Sequence, residues 1–400
     1  MKKILQIVAV VLGLSLSIQA GVHYSLDDFN KPGVNGNIDL MHVNDFTYMK
    51  TAISPDLKLG DFELGFDINI YLPLEDDCPY PSDLAFITFR HISYNYQNKH
   101  AITYGRLRNV TLGQGLLMQG YDSGAWGSTQ FSNEKAGVKG FTTYKQLRAD
   151  ALWTAQNVQG ARLSYRFENV PSIPSPIIVG ATIVSDPDGE DRTYSNQRIR
   201  RAKQEGTAID ISIPLGGDYF VPYAEYAELT TLQKAKGGAI GIKGDFFTRL
   251  QYKFEYRKLG ERFVPGYFNY TYHSSSFDFN TDAPDKEIHG YLASISSSFL
   301  ENRVKAGAMY EKYDADDLFT ASLGFDEIAR TTAVANYQVP FQGNKNRILE
   351  ADAIIRSGRA FDYIVNYKRI YYTSDDYEEF YTTGLRFNLG SNLGFGNKFL

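Results

Sequence analysis

Apolar and polar residues alternate along most of the chain with a period of two. From Thr248 to Arg257 one parity carries Leu250, Tyr252, Phe254 and Tyr256, while the other is polar or charged. A β-strand points successive side chains to opposite faces, so this segment predicts a strand with one apolar and one charged face. The same alternation recurs at 62–72, 161–168, 209–213, 303–311, 319–326, 349–356 and 381–388.

The lengths of these segments and their charges indicate which face each side chain takes. Segments of this length suit a tilted membrane strand, which needs roughly 9–11 residues. A one-residue slip of the 248–257 segment would turn Arg249, Lys253 and Arg257 toward lipid. Each charge would cost roughly 2–4 kcal/mol at the middle of a bilayer. The alternation therefore predicts apolar side chains outside and charged side chains inside.

Long and short links between the segments tend to alternate along the chain. The link that follows Leu72 and runs through Asp83 is long, as are those at 109–135, 186–207 and 259–286, whereas those at 97–99, 145–146, 216–218 and 301–302 are short. The short Asn157-Val158 link breaks the order. Short turns on one rim and long loops on the other are typical of membrane barrels. We therefore predict an all-β fold: a single transmembrane antiparallel up-and-down β-barrel of 16–20 strands, with 18 as the central value.

The first residues predict export. Lys2 and Lys3 precede an apolar run from Ile4 to Leu16, and Ala20 offers a small residue before a cleavage point, which together are typical of a secretory signal peptide. The predicted organisation is a signal peptide at 1–20, a periplasmic lead-in at 21–36 and a transmembrane barrel at 37–400. The run is too short for a helix across a bilayer, which needs roughly 20 residues.

This plan resembles the porin-like outer-membrane β-barrels of Gram-negative bacteria. The resemblance covers the signal peptide and most of the remaining chain, and it concerns architecture, so it transfers no functional residue. It implies a location in the outer membrane, with lipid and lipopolysaccharide as neighbours. Assembly into a homo-oligomer stays open. A soluble tyrosine-rich β-protein such as a sandwich is the alternative fold.

The amino-acid composition further limits the partners and the functions that the protein can have. The net charge is −5, and it becomes −7 without Lys2 and Lys3, which argues against a nucleic-acid partner. The single Cys78 excludes an internal disulfide. Tyrosine is abundant, with 29 residues, and its apolar ring with a polar tip suits a membrane interface.

The inward parity supplies candidate lumen-lining residues of both charges. These are Glu63, Asp67, Arg162, Arg166, Glu168, Asp210, Arg249, Lys253, Glu255, Arg257, Arg303, Lys305, Glu350, Asp352, Arg356 and Arg386, together with Glu311. A barrel of about 18 strands is wide enough for water. We therefore predict a channel for passive diffusion of small hydrophilic solutes, with no cofactor and no enzymatic activity. The alternatives are a non-conducting barrel that displays surface loops and an outer-membrane hydrolase.

One long link is unusually apolar for a loop in water. Its apolar residues are Leu112, Leu116, Leu117, Met118 and Tyr121, which we take as constriction-loop candidates. The link either folds into the lumen and narrows it, or packs on the outer rim or a neighbouring subunit. Gly113 and Gly115 of this link have the spacing of the first two glycines of a dinucleotide fingerprint, but the third glycine of that spacing is absent.

Three further patterns are weaker indications of a binding site. Arg198, Arg200, Arg201 and Lys203 form a basic cluster that suits lipopolysaccharide phosphates, an anion funnel or simply a solvated loop. The acidic stretch from Asp186 to Asp191 lacks the closing Glu of an EF-hand loop and is interpreted as a turn. The six His are scattered without zinc-ligand spacing.

Overall fold

The computed structural model describes most of the chain from residue 33 to residue 390. The described ranges are 33–43, 46–75, 87–123, 136–171, 173, 175–188, 191–194, 197–200, 203–230, 234–246, 250–269, 272, 283–300, 303–314, 317–339, 347–356, 361–371 and 377–390. The predicted signal peptide, Cys78, Arg201 and Arg249 lie outside them. Within these ranges no helix is long and apolar enough to cross a membrane.

The described residues form 25 strands, numbered in chain order. They are β1 (Gly33–Val43), β2 (Phe46–Leu59), β3 (Phe62–Pro73), β4 (Ile87–Tyr96), β5 (His100–Arg106), β6 (Val110–Leu112), β7 (Met118–Tyr121), β8 (Ala136–Tyr144), β9 (Leu147–Thr154), β10 (Gln159–Phe167), β11 (Ile177–Asp186), β12 (Asp191–Tyr194), β13 (Gln197–Arg200), β14 (Gln204–Ser212), β15 (Val221–Thr230), β16 (Lys234–Phe246), β17 (Leu250–Leu259), β18 (Phe268–Asn269), β19 (Ile288–Phe299), β20 (Val304–Tyr313), β21 (Asp317–Ile328), β22 (Thr331–Val339), β23 (Arg347–Arg356), β24 (Phe361–Tyr371) and β25 (Tyr377–Gly390).

Twenty of these strands make one closed antiparallel sheet, which we call the wall. Each wall strand pairs with the wall strand before it in the chain, and β1 also pairs with β25, with Ile38 opposite Leu385. Closure satisfies the backbone hydrogen bonds of both terminal strands and leaves no free edge. The wall is therefore an up-and-down β-barrel, as the alternation predicted.

The number of wall strands lies at the upper end of the predicted range, and the central value of 18 was too low. Residues 33–43 and 46–59 form two separate strands, β1 and β2. In β2, Thr47 and Thr51 lie on the outward parity and Tyr48 and Ala52 on the inward one, so its alternation is weak as sequence. The first strand begins at Gly33, ahead of the predicted barrel start at residue 37.

The two faces of the wall differ as the alternation predicted. In β17, Lys253, Glu255 and Arg257 are buried inside, while Phe254 and Tyr256 are exposed outside. In β14, Ile209 has 61% of its surface exposed, while its neighbour Asp210 has 4%. An apolar exterior on a closed wall is the surface that a bilayer covers, so the barrel is transmembrane.

The links between wall strands divide the barrel into two rims. Turns such as 60–61, 97–99, 145–146 and 329–330 lie at one end, called the short-turn rim. The strand ends that are joined by the links 107–135, 187–203 and 260–287 lie at the other end, called the long-loop rim. The link at 155–158 is short although it lies on the long-loop rim, and it is the exception that the sequence had already indicated. The link at 187–203 contains the small hairpin of β12 and β13.

Exposed aromatic rings collect near both rims of the outer face. Those near the short turns include Tyr94, Tyr144, Tyr165, Tyr219, Phe246 and Phe299; those near the long loops include Trp153, Tyr256, Tyr291, Tyr310 and Tyr377. Aliphatic side chains such as Leu163, Ile209 and Leu323 lie between them. Two aromatic girdles around an aliphatic belt match the two interfaces of a membrane.

Leu323 tests the assignment of the outer face. It lies at the middle of β21 and is 49% exposed. We expect Leu323→Arg to lower the free energy of unfolding in vesicles by roughly 2–4 kcal/mol, because the charge would face the middle of the bilayer. Leu323→Ile is the control and should cost less than about 1.5 kcal/mol. Equal stability of the two variants in a urea titration would contradict the lipid-facing position.

Candidate functional site

Residues Leu107–Ser123 form a closed projection that we call the inner finger. Its two ends meet at the wall, where the Leu107 amide donates to Ser123 Oγ at 2.9 Å and the Ser123 amide donates to the Leu107 carbonyl at 2.9 Å. Beside them, the Arg106 guanidinium donates to both oxygens of Asp122, at 3.0 and 2.9 Å. A paired backbone and a bidentate ion pair fix the base of the finger.

The apolar side chains of the finger are buried against the inner face of the wall. Leu116, Leu117 and Met118 are each 0–1% exposed. Wall glycines make room for this packing: a Cβ added to Gly206 would lie 2.9 Å from Leu117 Cδ2. The shared cluster includes Leu107, Val110, Leu112, Leu116, Leu117, Met118 and Tyr121 from the finger, and Leu152, Val184, Leu229 and Leu259 from the wall. The finger therefore lies inside the barrel, with its five constriction-loop candidates in this cluster.

The tip of the finger is held by charged side chains of the wall. Glu225 on β15 accepts two backbone hydrogen bonds, from the Gln114 amide at 3.0 Å and the Leu116 amide at 2.8 Å. Lys253 on β17 donates to the Gln114 carbonyl at 2.6 Å. The Gln114 side chain donates to Asp210 on β14 at 2.9 Å. Side chains of β14, β15 and β17 thus bind the Gln114 backbone and side-chain amide and the Leu116 amide of a tip that is closed to water, whereas Gln114 Oε1 is buried without a hydrogen-bond partner among the described residues.

A second inner segment, residues Gly260–Asn269, packs beside the finger, and we call it the inner strap. Its Gly266 amide donates to the Leu116 carbonyl at 2.9 Å, and its Phe268 amide donates to the Leu117 carbonyl at 3.1 Å. Strand β18 pairs parallel with β7, which gives a three-stranded sheet of β6, β7 and β18 within the barrel. The sequence had indicated only a long link here, so the inner strap was missed.

Arg257 is the centre of a buried ion network under the finger. Its Nε donates to Glu255 at 2.7 Å, and its Nη1 donates to Glu311 at 2.7 Å and to the Tyr313 hydroxyl at 2.8 Å. Its Nη2 reaches Gln119 of the finger at 3.2 Å. Nearby, Lys253 pairs with Glu255 at 2.7 Å, and Arg162 pairs with Asp210. These charges are almost fully buried, so each depends on its partner.

Other inward-facing ion pairs keep contact with solvent. Arg386 pairs with Asp362 at 3.1 Å, and their side chains are 18% and 14% exposed. Arg356 pairs with Glu327 at 2.6 Å, with 35% and 25% exposed. The Arg257 side chain is only 1% exposed by comparison. Water therefore reaches these pairs at the short-turn rim, whereas the pair of Lys368 with Glu350 at the middle of β23 and β24, 5% and 10% exposed, is closed to it like the network under the finger.

The predicted lumen-lining residues occupy three kinds of position. Most of them lie on the inward parity of wall strands: Glu63, Asp67, Arg162, Arg166, Asp210, Lys253, Glu255, Arg257, Lys305, Glu350, Asp352, Arg356 and Arg386, with Glu311. Two do not lie on wall strands, since Glu168 follows the end of β10 and Arg303 lies in an exposed turn. Arg249 lies outside the described residues.

The sequence missed Glu225, although its alternation was readable. Strand β15 turns Val221, Tyr223, Glu225, Ala227 and Leu229 inward. A single acidic residue among apolar residues on an inward face indicates that its carboxylate has a buried hydrogen-bond donor. The sequence does not identify that donor. That partner is the tip of the finger, 111 residues away from Glu225 in the chain.

The basic cluster, the acidic stretch and the histidines do not form a binding site among the described residues. Arg198 and Arg200 lie on β13, and Lys203 is exposed. Asp186 ends β11 and accepts a hydrogen bond from the Tyr272 hydroxyl at 2.5 Å. Among the described residues no group of three His, Cys, Asp or Glu side chains is placed to hold a metal ion.

The closed wall, its apolar exterior and its charged interior define a transmembrane β-barrel of porin-like architecture. The chain is similar to a mutant of the Rh. blastica porin (10% identity, TM-score 0.29, covering 89% of this chain and 99% of that one). It is also similar to OccK11 (OpdR) of Pseudomonas aeruginosa (10% identity, TM-score 0.36, 88% and 94%) and to the siderophore receptor PirA of Acinetobacter baumannii (8% identity, TM-score 0.37, 90% and 75%). No protein-family model and no curated protein matches the sequence.

Proposed function

We propose that the protein is an outer-membrane channel for passive diffusion of small hydrophilic solutes. The observation that carries this proposal is the closed wall with a charged inner face, on which the ion pairs of Arg386 with Asp362 and Arg356 with Glu327 keep contact with solvent at the short-turn rim. Charged side chains along a wet wall stabilise polar solutes, which the apolar belt outside would exclude. Export by a signal peptide at residues 1–20, and contact with lipopolysaccharide, belong to the same proposal.

The inner finger and the inner strap would set the size limit of this channel. Both lie against the inner face between β9 and β20, where their apolar residues and the ion network leave little room. Solutes would then pass the inward ion pairs of β21–β25 that meet water at the short-turn rim. Since acids and bases are paired there, the channel should discriminate only weakly between small cations and anions.

Planar bilayers test this proposal directly. We expect the barrel to give stepwise conductance, and a salt gradient should give a reversal potential close to zero because the wall charges are paired. Swelling of proteoliposomes in monosaccharides, but not in long oligosaccharides, would show the size limit. A folded barrel without conductance steps would overturn the channel and favour a barrel that displays its loops.

A further inference from the structure

The outer face of the wall contains one apolar groove with basic residues at its end. The groove has a volume of about 520 Å³ and crosses the outer face from Val179 on β11 to Lys258 on β17, which lies near the long-loop rim. Its walls include Ile209, Tyr226, Ile240 and Tyr256. Because these residues belong to the lipid-facing parity, the groove opens toward the membrane and not toward the lumen.

Gly238 forms the floor of the groove. It lies opposite Tyr226 of β15 on one side and opposite Lys258 of β17 on the other. A Cβ placed on Gly238 would have the Glu225 carbonyl oxygen as its nearest neighbour, at 3.8 Å. The missing side chain therefore leaves a hollow between two large neighbours, and a larger residue would fill it without strain in the wall.

Two lysines lie at the end of the groove nearest the long-loop rim. Lys258 borders the groove, and Lys236 lies diagonally across from it, two residues from Gly238 on β16. Side chains in this diagonal arrangement can reach a common group between them. Both lysines are exposed on the outer face, at the level of the aromatic girdle that contains Tyr256 and Tyr291.

The acids around these lysines leave a net positive charge. Glu228 pairs with Lys234 at 3.1 Å, and Glu287 pairs with Lys258 at 3.1 Å. Glu228 also lies directly opposite Lys236 in the register of β15 and β16, but among the described residues its ion pair is made with Lys234 and not with Lys236. The group of three lysines thus exceeds its two acids by one positive charge, which favours an anion at the membrane interface.

We propose that this groove binds a lipid with a phosphorylated headgroup. An acyl chain lies over Gly238 between Tyr226 and Tyr256, and the phosphate lies between Lys236 and Lys258. An apolar groove alone would take any acyl chain, whereas lysines at the interface select a chain that carries a negative headgroup. Long loops mark the outer surface of such barrels, so the lipid belongs to the outer leaflet.

Native mass spectrometry of the barrel refolded in lipid-free detergent tests this site. The probes are diphosphorylated lipid A and the same lipid A after removal of its phosphates. We expect one retained adduct of the phosphorylated probe on the wild-type barrel and little of the dephosphorylated one. Loss of the adduct is expected for Lys236→Gln/Lys258→Gln, which removes the headgroup contacts, and for Gly238→Leu, which fills the groove.

Two matched controls lie on β20, away from the groove. Lys312→Gln removes another exposed outer lysine, and Ala308→Leu adds an apolar side chain to the outer face. Both should keep the adduct, and heat-modifiable mobility in gels shows that each variant is folded. Equal binding of the two probes, or equal adducts in all variants, would overturn the site. Conductance does not enter this test, so its outcome is independent of the channel.

Discussion

Replacing Glu225 with alanine is expected to release the inner finger and to raise the conductance of the channel. The Glu225 carboxylate accepts hydrogen bonds from the Gln114 and Leu116 amides. Without it, two buried amides lose their acceptors, at a cost of about 1–3 kcal/mol for each. The two amides can then regain hydrogen bonds, to water, if the tip moves away from the wall, and this movement widens the lumen. Single-channel recording should show larger and noisier steps than in the wild type.

Two other variants sharpen the Glu225 test. Glu225→Gln keeps one acceptor oxygen in place and should give a smaller change than alanine. Glu228→Ala removes an acid from the opposite parity of the same strand and should leave the conductance unchanged. If all three variants conducted like the wild type, the finger would not limit the channel.

Replacing Arg257 with methionine is expected to cause the largest loss of stability of any single change. The side chain fills a buried site and pairs with Glu255 and Glu311. Methionine keeps much of the volume and leaves the two carboxylates without that partner, which costs about 3–5 kcal/mol for a buried pair. The temperature at which the folded form disappears in a heat-modifiability gel should fall well below that of the wild type.

A double-mutant cycle separates loss of the ion pair from loss of packing. Glu311→Gln should cost less in the Arg257→Met background than in the wild type, because the carboxylate has already lost its partner. Arg386→Met is the matched control, since its pair with Asp362 keeps contact with water, and it should cost about 1 kcal/mol or less. Additive effects of the two changes at 257 and 311 would contradict a coupled network.

Much of the wall could be predicted because its information is local. The alternation of apolar and polar residues in β17 is visible in ten consecutive residues. A charged residue such as Lys253 or Arg257 then shows which of the two faces points into the barrel. The count of strands was less secure, since residues such as Tyr48 and Thr51 in β2 weaken the alternation. The pairing of β1 with β25 follows only from closure of the whole sheet.

The inner segments show where local information ends. Leu116, Leu117 and Met118 signalled an apolar cluster in a link, and Phe263, Tyr267 and Phe268 carried the same signal in the inner strap without being recognised. Neither stretch contains information about the wall residues that hold it. Those contacts depend on which strands face one another across the barrel, a property of the completed sheet and not of any segment.

The position of the finger has a consequence for the order of biogenesis. The finger belongs to the first third of the chain, yet its seats, Asp210, Glu225 and Lys253, arrive 96, 111 and 139 residues after Gln114. Contacts across such separations form late. Until β15 and β17 have joined the wall, the backbone of the tip has neither Glu225 nor Lys253 as a partner, and of its three polar seats only Asp210 belongs to an earlier strand.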